Sequence, residues 1–148
     1  MPDPAGMRLG QTRDQAHPDC IFCGTQGPGP LALEFAEDGT GGVAAAFACP
    51  SAVEGYPGLV HGGVAAGLLD AAMTNALFAH GVAAVTGRLT VRYQHPLRLG
   101  RVATVTAKAA ERRGAWWIVH GEIRQDGTVA ALAEAWFKDR TTAEEGAT

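Results

Sequence analysis

The sequence predicts an α+β domain in which one antiparallel β-sheet wraps around a single long helix. Three observations support this fold class: several segments alternate between apolar and polar residues, one central stretch is apolar on nearly every side, and glycine-containing turn dipeptides separate the last strands. The chain has 148 residues, 47% of them apolar and 18% charged, which suffices for one hydrophobic core and one domain. The predicted order is β-β-α-β-β-β-β.

The predicted domain covers residues 30–138. Residues 1–29 contain a cysteine pair and otherwise lack periodicity, so we expect a loose N-terminal segment; residues 139–148 are small and polar, so we expect a flexible tail. The net charge of −3 offers no basic surface for nucleic acid. The first twenty residues contain no apolar leader, and we expect a cytoplasmic protein.

The first two strands are predicted to form a hairpin. Leu31, Leu33 and Phe35 alternate with polar or small residues, and Asp38-Gly39 is a turn dipeptide before the second alternating segment, GVAAAFAC.

A buried helix follows, because the stretch from about Gly63 to Ala79 has no polar face. A membrane span is the competing interpretation. We reject it because Asp70 and Asn75 would then lie in lipid, at a cost of roughly several kcal/mol. We expect no membrane partner.

Four strands are predicted after the helix. Residues 88–94 alternate cleanly, which indicates a half-buried strand. The segments RVATVTAKAAER, WWIVHGEIRQ and TVAALAEAWFK then form a meander, separated by the turn dipeptides Arg113-Gly114 and Asp126-Gly127.

The start of the helix is the most informative segment. GYPGLVHGG contains four glycines and has no Ser, Thr, Asp or Asn at the expected cap, so the first-turn amides lack an obvious side-chain partner. Such amides suit an anion or a carbonyl oxygen that gains negative charge, and Gly62 and Gly63 let a ligand approach closely. The alternative is that these glycines only make a tight turn.

Asp70 is the one acidic residue of this apolar helix. Since an unpaired buried carboxylate is costly, we interpret it as a base in a partly dry cleft; the alternative is a structural bond to Thr74 or across a dimer interface. His61 is a possible base but is as often structural, and Thr86 by default reflects strand propensity. The chain has no serine-hydrolase elbow, P-loop or dinucleotide-binding motif.

A cysteine pair precedes the predicted domain. His17, Cys20 and Cys23 have H-x-x-C-x-x-C spacing, and Cys49 is the one further thiol. Half a zinc site and a reduced, packed loop both remain open, and we include neither a metal nor a cofactor in the prediction.

Arg112 and Arg113 lie at a predicted turn. They are candidates to bind the phosphates of a nucleotide-tailed substrate such as coenzyme A, and scattered surface charge is the alternative. Four aromatic residues are candidates either for an acyl pocket or for the core: Phe78, Tyr93, Trp116 and Trp117.

GYPGLVHGGVAAGLLDAAM followed by TGRLTVRYQHPLRLG resembles the hotdog-fold thioesterases of the phenylacetic-acid-pathway (PaaI-like) type. The resemblance covers roughly residues 30–138. It implies a six-stranded antiparallel sheet around the helix, an acyl-CoA substrate, and a homodimer that often pairs again into a tetramer.

The resemblance also implies residue roles. The Gly62 amide would polarise the thioester carbonyl, Asp70 from the partner protomer would be general base or nucleophile, and Thr86 would position the acid or the water. Gly63, Gly55 and Tyr56 would contact substrate.

This sequence departs from the family at Gly55, where members often have a water-orienting Asn or Gln. That role would then fall to Glu54 or His61. The alternative function is a non-catalytic acyl-CoA or acyl-thioester binding protein on the same fold. A hotdog dehydratase does not match the long HGG helix.

Overall fold

The computed structural model of the protein describes residues 4–24, 31 and 33–140. Two helices and six strands are present in this part of the chain. In chain order they are α1 (Pro4–Ala16), β1 (Ala36–Glu37), β2 (Val43–Phe47), α2 (Gly62–Phe78), β3 (Ala84–Tyr93), β4 (Ala103–Arg113), β5 (Trp116–Gln125) and β6 (Thr128–Asp139), with a 3-10 turn at Ser51–Val53 between β2 and α2.

The six strands form one antiparallel sheet in the order β1-β2-β4-β5-β6-β3. The predicted sheet and the β4-β5-β6 meander are confirmed. The turn between β5 and β6 places Asp126 at φ 53° and Gly127 at φ 75°, the pair of left-handed residues that a tight two-residue hairpin requires. β3 is an edge strand that pairs with β6, so its other edge faces away from the sheet.

Helix α2 packs on one face of the sheet, mainly against β4 and β5, and is buried over most of its length. The helix approaches β5 closely at Gly121, where an added Cβ would lie 3.2 Å from Met73 Cγ and 3.3 Å from Leu69 Cδ2. Asn75 is fully buried, and its side-chain amide donates to the Ala71 carbonyl within the helix. The predicted buried helix is confirmed.

The first hairpin is shorter than the alternation predicts. Leu33 and Phe35 are buried as expected, but β1 comprises only Ala36–Glu37 among the described residues. The turn is held by Asp38, whose Oδ1 accepts hydrogen bonds from the backbone N–H groups of Thr40 and Gly42. Hydrogen bonds from Thr40 hold the pKa of Asp38 below its usual value.

The N-terminal segment is the main departure from the predicted fold. Where we expect a loose chain, α1 packs on α2, and its Leu9 is only 4% exposed. The contact continues at Gly67 of α2, where an added Cβ would lie 2.3 Å from the Phe22 ring. Leu9 and Ala16, the apolar residues of α1 that pack on the core among those whose burial is described, are seven residues apart and give no strong periodic signal.

The predicted tail at 139–148 falls largely outside the described residues, as does the predicted boundary at residue 30. Asp139 itself ends β6 and donates its backbone N–H to the Ala115 carbonyl. Within the described ranges, neither helix is long and apolar enough to span a bilayer.

Candidate active site

The loop before α2 is a small hairpin that fixes where the helix begins. Glu54 and Val60 form an isolated bridge, and Gly55 N–H donates to the Leu59 carbonyl at 2.9 Å. Gly58 adopts φ 81°, and its N–H donates to the Glu54 carboxylate at 2.9 Å. One oxygen of the Glu54 carboxylate is therefore hydrogen-bonded within its own loop.

His61 is the N-cap of α2, which corrects the expectation of an uncapped helix. Its Nδ1 accepts a hydrogen bond from Gly63 N–H at 2.9 Å. A neutral ring that accepts through Nδ1 carries its proton on Nε2, so His61 in this position presents a donor rather than a free base. Sequence reasoning missed this role because histidine is not among the usual N-cap residues.

The amide of Gly62 differs from its neighbours at the helix start. Val64 and Ala65 N–H donate to the His61 carbonyl, and Gly63 N–H donates to the His61 ring. No acceptor for Gly62 N–H occurs in the described part of the chain. This unpaired donor lies at the positive end of the helix dipole, where it suits an oxyanion.

A pocket of about 270 Å³ opens beside this amide. Its wall is mainly apolar and includes Val60, Ala65 and Leu97. Tyr93, at the end of β3, also lines the pocket and donates its hydroxyl hydrogen to the Gly62 carbonyl at 2.7 Å. The tyrosine thereby fixes the first residue of α2 from the carbonyl side and leaves the N–H side open.

Asp70 lies midway along α2 and is half-buried. The Thr86 hydroxyl donates to Asp70 Oδ1 at 2.5 Å. The Thr74 hydroxyl donates to the backbone carbonyl of Asp70 rather than to its carboxylate, so a bond to Thr74 does not account for the acid side chain. No described residue donates a hydrogen bond to Asp70 Oδ2, which is the oxygen available to a water or a substrate.

Thr86 reaches Asp70 because β3 is irregular at this point. The register with β6 shifts between Thr86 and Arg88, which leaves Gly87 as the extra residue of a bulge. Gly87 also lies against Trp116, since an added Cβ would be 2.5 Å from its ring. The bulge changes the direction of the strand next to Thr86, whose hydroxyl is hydrogen-bonded to Asp70.

His17 is a titratable group near Asp70 that sequence reasoning did not connect with the acid. Burial lowers the pKa of His17 below its usual value, while the charge of Asp70 acts in the opposite direction. The glycine at position 67 of an apolar helix was the available signal, because it marks a surface that another segment approaches closely.

The other predicted substrate contacts, Tyr56, Gly55 and Gly63, have three different environments in the structure. Tyr56 is 82% exposed and does not line the pocket beside Gly62. Gly55 lies directly against His61, since an added Cβ would be 2.9 Å from the His61 Cα. The amide of Gly63 is occupied by the cap.

Arg112 and Arg113 are the last two residues of β4, next to the turn that leads into β5. Arg112 pairs with Asp139 at 3.8 Å, and Arg113 pairs with Glu111 at 3.0 Å. Their guanidinium groups also lie over the rings of Trp117 and Trp136. A groove of about 520 Å³ on the outer face of the sheet includes two further arginines, which the strand pattern marked only as polar: Arg88 and Arg92.

Of the four aromatic candidates, Tyr93 lines the pocket next to Gly62. Phe78 is 1% exposed and belongs to the core, and Trp117 is partly buried and stacks on His80. Trp116 packs edge-on against Trp136.

The chain matches the family model of the thioesterase superfamily over residues 57–131. This range contains Gly62, Asp70, Thr86 and Tyr93. The chain belongs to the thioesterase superfamily. The predicted enzyme class is thereby confirmed at the level of the family. No curated protein shows a significant match to the sequence.

Solved structures of this superfamily share the fold. A thioesterase superfamily protein is 33% identical, with a TM-score of 0.70 over 79% of this chain; the chain spans 61% of that protein's length. The PaaI protein of Escherichia coli, from the phenylacetic acid degradation operon, is 18% identical, with a TM-score of 0.77 over 91% of this chain and 95% of that one. The predicted PaaI-like hotdog fold is confirmed.

A hypothetical thioesterase of Streptococcus pneumoniae, solved with coenzyme A, is 18% identical, with a TM-score of 0.68 over 72% of this chain and 87% of that one. Two further structures of the streptococcal protein carry an aspartate-to-alanine and a threonine-to-alanine mutation. The two mutated positions are sixteen residues apart.

Proposed function

We propose that this superfamily member hydrolyses an acyl-CoA thioester in a site shared by two protomers. Gly62 N–H of one protomer polarises the thioester carbonyl, and Asp70 of the partner subunit acts as general base or nucleophile. The observation that carries the proposal concerns Gly62, whose N–H has no acceptor among the described residues and which lines a pocket.

The distance between these two groups supports a shared site. Gly62 and Asp70 are eight residues apart on one helix, which corresponds to about 12 Å along its axis. Reacting groups must come within about 3–3.5 Å of the bonds they change. One chain therefore cannot direct both groups at one thioester, whereas two chains can.

The edge strand β3 offers a way to combine them. Tyr93, at one end of β3, contacts Gly62, and Thr86, near the other end, contacts Asp70. If two copies pair antiparallel along their β3 edges, centred near Leu89 and Thr90, the Tyr93 end of one strand lies opposite the Thr86 end of its partner. Each Gly62 then lies close to the partner's Asp70, and the dimer holds two equivalent sites.

The proposed reaction balances with water as the co-substrate. The Asp70 carboxylate takes a proton from water, the oxygen of that water attacks the thioester carbonyl carbon, and Gly62 N–H stabilises the oxyanion. The C–S bond then breaks, and the departing thiolate takes the proton from Asp70. The products are a free carboxylic acid and free coenzyme A. With Asp70 as nucleophile, a mixed anhydride forms first, and water then hydrolyses it.

The spacing of the acid and the hydroxyl supports the catalytic pair. Asp70 and Thr86 are sixteen residues apart, the same separation as the aspartate and threonine mutated in the streptococcal protein. The coenzyme A in that protein's structure supports the substrate class. Arg112 and Arg113 remain predicted contacts for the phosphates of coenzyme A. To bind them, the two arginines would have to leave their present acidic partners, Asp139 and Glu111.

The absence of a side chain at Gly55 supports the second candidate function, a non-catalytic acyl-CoA binder. One oxygen of Glu54 is held by Gly58, and the Nδ1 of His61 is held by Gly63, so the loop uses the groups that would otherwise accept a hydrogen bond from water. The two functions differ in one measurable respect, which is turnover.

The first test is release of free coenzyme A from short, medium, long and aromatic acyl-CoAs, measured by chromatography for wild type and Asp70→Asn. We expect wild type to hydrolyse one class and the variant to be slower by about 10²–10⁴-fold, with substrate binding retained. If the wild type binds acyl-CoA tightly but releases no coenzyme A from any class, the binder is the correct function.

The shared site is tested by mixing two inactive variants. Asp70→Asn and Gly62→Pro, mixed and allowed to exchange subunits, should recover about a quarter of the wild-type rate, because half of the dimers are mixed and each has one intact site. Each variant mixed with itself is the control. A mixture as inactive as its components argues for a site within one chain. Light scattering of the same samples tests the homodimer and the predicted dimer of dimers; the cytoplasmic location stays a prediction.

A further inference from the structure

The N-terminal segment brings three metal-binding side chains together. The ligand atoms of His17, Cys20 and Cys23 all lie within 4.8 Å of one another. His17 Nδ1 is 3.8 Å from Cys23 Sγ. In a tetrahedral zinc site, with Zn–S near 2.3 Å and Zn–N near 2.0–2.1 Å, an N···S separation is about 3.6 Å. The described cluster is thus close to the size that one zinc ion requires.

The backbone of this segment is shaped around the Cys20 sulfur. Phe22 N–H points at Cys20 Sγ at 3.4 Å, and Gly24 N–H donates to the Cys20 carbonyl at 2.9 Å. A Cβ at Gly24 would lie 2.5 Å from Cys20 N, so the turn requires glycine after the second cysteine. These backbone contacts fix the position of Cys20 beside His17 and Cys23.

Cys49 does not belong to this cluster. Its thiol lies against Phe47 O and Gln125 Nε2, in the core near β2 and β5. No fourth His, Cys, Asp or Glu joins the three donors in the part of the chain that the structure describes. His17 and Cys20 are partly exposed, which leaves one side of the cluster open to water.

We propose that His17, Cys20 and Cys23 bind one Zn²⁺ ion, with water as the fourth ligand. One imidazole and two thiolates in a tetrahedral arrangement favour zinc over magnesium or calcium, which prefer oxygen ligands. None of its ligands is a residue of the proposed reaction, although His17 lies near Asp70. Zinc binding and thioester hydrolysis are therefore tested by separate measurements.

The ion fixes the N-terminal segment on helix α2. His17 packs edge-to-face on Phe78 of α2, with ring centroids 5.1 Å apart, and Phe22 fills the space left by Gly67. One contact is made by the first ligand itself, and the other is made by the residue directly before Cys23. A zinc ion that joins residues 17, 20 and 23 closes the loop after α1 and holds both contacts in place at once.

The test is zinc binding by the full chain, purified under reducing conditions. Zinc per chain is measured by mass spectrometry, and affinity by competition with a chromophoric chelator. Wild type and Cys49→Ser should bind one zinc per chain, whereas Cys20→Ser and His17→Gln should bind it about 100-fold more weakly or worse. Both altered side chains are partly exposed, and circular dichroism checks that the variants fold.

Two further measurements use the wild type alone. Co²⁺ added to the metal-free protein should give the thiolate-to-cobalt absorption of a tetrahedral site. Removal of zinc with a chelator should speed hydrogen exchange in residues 4–24 and leave β4–β6 unchanged.

Three results would each overturn the proposal. The first is a reduced wild-type chain that binds no zinc even when zinc is in excess. The second is unchanged zinc affinity in both Cys20→Ser and His17→Gln. The third is a Cys20–Cys23 disulfide that forms in place of metal binding.

Discussion

The two ends of the candidate site on α2 are built in opposite ways. At the helix start, the chemical group is the backbone amide of Gly62, and the lack of a side chain there lets a ligand approach this amide closely. In the middle of the helix, the chemical group is the carboxylate of Asp70, set by the Thr86 hydroxyl. One end therefore depends on backbone conformation, and the other depends on side-chain identity. The same substitution strategy cannot probe both.

The Gly62 end should be broken by proline and tolerated by alanine. Gly62 is the first helical residue, and His61 before it has φ −57° and ψ 133°, which suits a residue that precedes proline. Gly62→Pro removes the N–H and should lower kcat by about 10²–10³-fold. Gly62→Ala keeps the N–H, and its Cβ would meet nothing nearer than the Tyr93 hydroxyl at 3.8 Å. Equal losses in both variants would contradict the oxyanion role.

The Asp70 end should respond to the hydroxyl at position 86. Thr86→Val keeps the shape and removes the donor to Asp70 Oδ1, so we expect kcat to fall about 10-fold, equivalent to about 1.4 kcal/mol for a hydrogen bond to a charged group. Thr86→Ser restores the hydroxyl and should remain near wild type. Steady-state kinetics on the best acyl-CoA measures both, and a Val variant as fast as the Ser variant would exclude a positioning role.

The smallest effect is expected at Tyr93. Tyr93→Phe removes the hydrogen bond to the Gly62 carbonyl but leaves the amide in place, so kcat/KM should fall about 3-fold, within the range of one neutral hydrogen bond. The thermal midpoint should change little, since Tyr93 is 55% exposed. A loss as large as that of Gly62→Pro would mean that the tyrosine hydroxyl itself contacts the substrate.

Most of the sheet and α2 could be predicted from the sequence, because alternation and an apolar run are direct consequences of burial. β5, for instance, occupies the predicted segment WWIVHGEIRQ without a shift. Helix α1 could not be predicted, because its described apolar contacts with the core, Leu9 and Ala16, are too sparse to give a helical periodicity. Its position depends on packing against α2, which is a tertiary contact.

The site was predictable in composition but not in arrangement. In the sequence, the Gly62-Gly63 pair begins the helix without one of the usual N-cap residues before it. Asp70 is the one acid of this apolar helix. The cap by His61 was not predictable, because it depends on a ring rotamer and on the close approach of Gly55. The contact between Asp70 and Thr86 depends on the bulge at Gly87. A glycine inside a strand pattern is a signal for a bulge, but it does not show which side chain the bulge brings to the acid.

The edge strand β3 has a consequence for how activity depends on concentration. It holds Thr86 near one end and Tyr93 at the other, and no strand among the described residues pairs with its outer edge. If two such edges complete the site, a well-folded monomer is inactive, and dilution below the dissociation constant lowers activity per chain without unfolding the protein. A slip of the paired strands by two residues would displace both sites by about 7 Å and disable them together.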